Sequence, residues 1–123
     1  ALDLWLEVDM AAVRERSMQL SQLFLDLVEE RCAGLGLTPI CPAEPAQRGS
    51  QVAFRHAGGY GLVRALLERR VVGDFRSPDV VRFGITPLYL RAIDVWDAVE
   101  VIREVLASGG HTEPRHHLRV AVT

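Results

Sequence analysis

Lysine is absent from this 123-residue chain: all 14 basic side chains are arginines. A protein Schiff base needs a lysine amine, so the chain alone cannot form one. There are two cysteines, Cys32 and Cys41. Their spacing fits no zinc pattern, and two thiols make no disulfide framework, so inert thiols in a reducing compartment are expected. Aromatics make up only 7% of the residues. No apolar run approaches the ~20 residues of a membrane span. The start, ALDLWLEVDM, lacks a basic n-region and is not a secretory signal. It also begins without Met, as a piece of a longer protein would. A net charge of -2 and a pI near 6.1 give no global basic footprint for nucleic acid.

What is present suits one globular domain. Hydrophobic content is 49% and charged content 24%. Asp9 reads as the N-cap of a long helix from Met10, with Val13, Leu20, Leu23, Phe24, Leu27 and Val28 on its apolar face. Gly34 and Gly36 mark its end. Leu35 to Cys41 reads as a short strand, then Pro42 and Pro45 open a loop. Gln51 to His56 alternates as a strand. After Gly58, Gly59 and Gly61, a helical stripe of Leu62, Val63, Leu66 and Leu67 closes on Arg69 and Arg70. Val71–Arg76 and Val80–Ile85 read as strands joined by Ser77-Pro78-Asp79, a hairpin. Asp94 is expected to cap the last helix, with Asp97 in capping-box position. Val95, Val99, Ile102 and Leu106 form its buried face, and Gly109 and Gly110 stop it.

This order implies an α+β two-layer sandwich, a small mixed or antiparallel sheet with helices packed on one face. Residues 1–33 form a helical lead-in, 34–110 the core, and 111–123 a flexible tail.

Arg82 is the sharpest candidate for chemistry. It interrupts the apolar run VVRFGI on the face opposite Val81 and Phe83. An arginine there needs a partner, and its planar fork suits a carboxylate. Gly84, on the same face, leaves room beside it. An internal ion pair with an Asp or Glu of the domain is the commoner use of such an arginine. Asp74 and Arg76 share one strand face and can pair with each other or with Arg82. The glycines of AGGYGLVRAL offer backbone N–H groups to an anion but are better read as a tight turn, and Tyr60 as a packing residue. His56 is expected to form a hydrogen bond. His111, His116 and His117 belong to a solvated tail more naturally than to a metal site. No metal site is expected.

The segment Gly73 to Tyr89, GDFRSPDVVRFGITPLY, followed by DVWDAVE, resembles the C-terminal small domain of kynureninase, as does VDMAAVRERSMQL near the start. That family comprises pyridoxal 5'-phosphate (PLP)-dependent fold-type-I homodimers. The resemblance implies hydrolysis of L-kynurenine, or its 3-hydroxy form, to anthranilate (3-hydroxyanthranilate) and L-alanine in cytoplasmic tryptophan catabolism leading to NAD biosynthesis. It implies that Arg82 holds the substrate α-carboxylate. It places the PLP lysine in a large domain outside this chain, so no catalytic or cofactor-binding residue is expected here and the chain alone should be inactive. Such a separated domain is expected to expose apolar surface from its first helix and to self-associate. Two other readings are the small domain of another class V PLP enzyme, such as a cysteine desulfurase-like one, and a non-catalytic module that binds carboxylic acids.

Overall fold

In a computed structural model, residues 10–42, 51–85 and 90–116 are described. Three helices, α1 (Met10–Arg31), α2 (Gly59–Glu68) and α3 (Ala92–Ser108), accompany four short strands. The strands are β1 (Thr38–Pro39), β2 (Gln51–Arg55), β3 (Asp74–Arg76) and β4 (Val80–Gly84). They form one sheet in the order β1-β2-β4-β3, with every pairing antiparallel.

Strand alternation divides the sheet. Val52 and Phe54 of β2 and Val81 and Phe83 of β4 point to one face and are buried. They meet Leu20, Phe24 and Val28 of α1, Leu62 and Leu66 of α2, and Val95, Val99 and Ile102 of α3 in one core. Phe24 stacks on Phe83 with ring centroids 5.2 Å apart and lies 6.0 Å from Phe54, so three aromatics join α1 to the sheet. All three helices therefore cover the same face, as the two-layer α+β reading requires. Of the expected α1 stripe, Val13 and Leu23 are only partly buried.

Helix α2 ends in a Schellman motif. Arg70 N donates to Leu67 O at 3.0 Å and Val71 N to Leu66 O at 2.9 Å, with Arg70 at φ 65°. Val71 thus finishes a helix, and β3 starts only at Asp74 rather than at Val71. The hairpin itself forms as expected, its turn containing a cis Ser77–Pro78 bond.

Three further expectations need correction. Asp94 is not the N-cap of α3. The helix begins one turn earlier, because the Asp94 carboxylate accepts the backbone N–H of Arg91 at 2.8 Å from the third helical position. The stretch from His111 to His116, expected within a loose tail, folds into two 3-10 turns against α2. Arg115 grips Glu68 with two bonds of 3.1 and 2.8 Å, and His116 is buried. Exposed large apolar side chains are not concentrated on α1. Only Met10 represents it, whereas Leu67, Val72 and Ile93 are at least half exposed elsewhere. Asp9, the rest of the tail and Thr86–Tyr89 lie outside the described residues.

Candidate functional site

The second face of the sheet carries Gln51, Ala53 and Arg55 of β2, Asp74 and Arg76 of β3, and Val80, Arg82 and Gly84 of β4. None of these is buried. Register sets Ala53 opposite Arg82 and Arg82 opposite Asp74, so the three form one row across the sheet. Ile40, whose N–H donates to Ala53 O at 3.0 Å, continues the row and is 40% exposed. Arg82 is thereby flanked by a small apolar surface on one side and a carboxylate on the other.

Asp74 is the partner that Arg82 requires. Arg82 Nε donates to Asp74 Oδ2 at 3.2 Å, and Nη2 donates to the same oxygen. Arg76 Nε also donates to that oxygen, at 3.3 Å. Arg82 first, then Arg76, holds the Asp74 carboxyl below the usual carboxylate range. Both pairings considered from the sequence therefore occur together. At Gly84 an added Cβ would meet nothing within 4 Å, so the space beside Arg82 is open. At Gly73 it would lie 2.9 Å from Phe83 Cε1 and 3.3 Å from Arg82 O. The signature thus has one glycine where backbone crowds and another where the face stays clear.

The remaining candidates have internal tasks. His56 Nδ1 accepts the Gly58 N–H at 2.8 Å, so Nε2 carries the proton that reaches Leu35 O at 3.0 Å. Gly59 N donates to His56 O. The N–H groups of Gly58 and Gly59 are therefore spent on the turn itself. Tyr60 packs edge-on against Phe75, centroids 5.5 Å apart, and its hydroxyl accepts from Arg64 Nη1 at 3.0 Å. Cys32 is buried and Cys41 partly so, both as free thiols; burial first, with Glu100 adding to it, pushes the Cys32 thiol up. His111 packs against His56. His117 is outside the described residues. Among the described residues no three His, Cys, Asp or Glu side chains are grouped to hold a metal ion, and no helix is long and apolar enough to cross a membrane. Ile40 carries no signal of its own in the sequence, since the pairing that sets it beside Ala53 is long-range.

The family model for the kynureninase C-terminal domain matches residues 13–102. A kynureninase of Burkholderia mallei (strain SAVP1) is 47% identical over 99% of this chain and 29% of its own length. A kynureninase of Pseudomonas fluorescens is 44% identical with the same coverage. The chain thus spans 29% of the length of these relatives. A mutant of M. tuberculosis Rv3290c superposes with a TM-score of 0.59 at 24% identity, over 80% of this chain and 22% of that one, a likeness of fold alone. With a family model covering most of its length and relatives 44% and 47% identical over 99% of it, the chain belongs to the kynureninase C-terminal domain family.

Proposed function

We propose that this chain serves as the small domain of a PLP-dependent kynureninase and that Arg82 grips the α-carboxylate of L-kynurenine. The observation that carries this reading is the placement of Arg82 on the helix-free face of the sheet, with open space at Gly84 beside it. Arg82 is paired with Asp74, and the open position at Gly84 leaves its guanidinium room for a second carboxylate. A guanidinium fork directed from a rigid strand is suited to two parallel bonds with a carboxylate.

The fit to the cofactor is different. PLP needs an amine for its Schiff base, and this chain has no lysine to provide it. The described residues also offer no anion cradle at the Gly58–Gly59 turn, where the N–H groups are bonded internally. The cofactor and its covalent anchor are therefore assigned to residues outside this chain, which by itself is inactive. The enzyme so completed is a cytoplasmic homodimer that hydrolyses L-kynurenine, or its 3-hydroxy form, to the corresponding anthranilate and L-alanine.

Replacing Arg82 in the full-length enzyme tests the reading. Arg82→Ala is expected to raise KM for L-kynurenine, and to lower kcat/KM by about 2–4 kcal/mol, the cost of a lost charge-assisted contact. Arg82→Lys should recover little, because an ammonium cannot reproduce the fork. An Arg82→Ala enzyme with unchanged KM and kcat/KM would overturn the assignment.

A further inference from the structure

A guanidinium can meet a carboxylate through two edges, the side edge of Nε and Nη2 or the end edge of Nη1 and Nη2. The bonds from Arg82 to Asp74 run through Nε and Nη2 and converge on a single oxygen, Oδ2. They engage the side edge and turn the end edge away from Asp74. Asp74 itself is fixed at the third point by Arg76, whose Nε donates to the same oxygen. The three residues sit on two strands in direct register, Asp74 opposite Arg82, so the arrangement is built on rigid backbone and not on a loop.

We propose that Asp74 is the positioning residue of this site: it pins the side edge of Arg82 so that the end edge is presented to the substrate carboxylate. This rests on the reading of Arg82 as the carboxylate ligand. Asp74 does not touch substrate. It removes rotational freedom from a long side chain before binding, and the ordering cost is then no longer charged against affinity. Arg76 keeps Asp74 in place and offsets its charge, leaving the triad with one net positive charge for the incoming anion. The rival account is that Asp74 is a placeholder which substrate must displace. The two accounts predict opposite signs, since removing a placeholder tightens binding and removing a positioning group weakens it.

The test is steady-state kinetics with L-kynurenine on the full-length PLP-loaded enzyme, comparing Asp74→Ala, Asp74→Asn, Arg82→Ala and the double variant. Asp74→Ala is expected to raise KM about tenfold with kcat held within about twofold, in the range of coupled contacting pairs. Asp74→Asn keeps an acceptor oxygen and should recover much of that loss, an outcome a general loss of stability would not give. Adding Asp74→Ala to Arg82→Ala should change KM no further. A fall in KM on Asp74→Ala, an unchanged KM, or an equal rise in the Arg82→Ala background would overturn the proposal. If instead Arg82→Ala leaves KM untouched, the carboxylate reading itself has failed. Should Asp74→Ala not fold, Asp74→Asn and its combination with Arg82→Ala decide the question.

Discussion

At the scale of single residues, the two glycines of the signature carry different demands. Gly73 lies where a Cβ would press on the Phe83 ring and on the immovable Arg82 carbonyl. Gly73→Ala should destabilise the chain by about 1–3 kcal/mol, as overpacking does. Gly84 has open space around the same position, and Gly84→Ala should stay within about 0.5 kcal/mol, as exposed substitutions do. Urea unfolding of both variants checks this; equal losses would mean that the crowding at Gly73 is relieved at no cost. Arg82 was legible from the sequence because a charge in an apolar strand is conspicuous. Its partner was legible only as a choice between Asp74 and others, because the register that sets Asp74 opposite Arg82 depends on the turn. Ile40 was invisible, since nothing in its own segment says which strand it will meet.

At the scale of elements, local signals succeeded where a residue's own chemistry decides the outcome. The alternation in Gln51–Arg55 and Val80–Gly84 gave two strands and their buried faces. Local signals failed where a short-range bond moved a helix end past the residue that seems to mark it. Val71 looks like strand but closes α2, in a motif that ordinarily announces itself with glycine and here uses Arg70. Asp94 looks like an N-cap but acts from the third position, since its carboxylate bonds the Arg91 N–H one turn back. The contact between the helical layer and the sheet includes Phe54, which is fully buried against Phe24 and Phe83. Phe54→Ala should cost about 3–5 kcal/mol. Against the 5–15 kcal/mol typical of a domain, that is enough to show as a large drop in the unfolding midpoint. A drop no larger than that of an exposed substitution would mean that the two layers do not share this core.

At the scale of the whole molecule, arginines dominate the carboxylates. Arg115, Arg82, Arg91 and Arg103 respectively hold Glu68, Asp74, Asp94 and Glu100 below the ordinary carboxylate range. Between the ordinary and the lowered values the unfolded chain binds more protons than the folded one, so stability rises with pH there. Their contribution is complete above the ordinary carboxylate range and is lost as pH falls through the lowered values. The urea midpoint should therefore hold steady near neutrality and decline below about pH 4, and the decline should be smaller in Arg115→Ala, where Glu68 has less of a native partner to lose on protonation. A midpoint flat down to about pH 3 would show that these pairs are screened away.

The fold itself was legible because three amphipathic helices and a small sheet have few ways to cover one another. What the sheet leaves uncovered was not, because an exposed face acquires meaning only from what binds to it. The account stands on Arg82 meeting the substrate's α-carboxylate on that face. The most direct measurement compares competitive inhibition of the full-length enzyme by an unreactive kynurenine analogue with and without its α-carboxylate, in the native protein and in Arg82→Ala. The native enzyme should favour the carboxylate form by about 2–4 kcal/mol, and Arg82→Ala should lose that preference. An Arg82→Ala enzyme that discriminates as well as the native one would contradict the account.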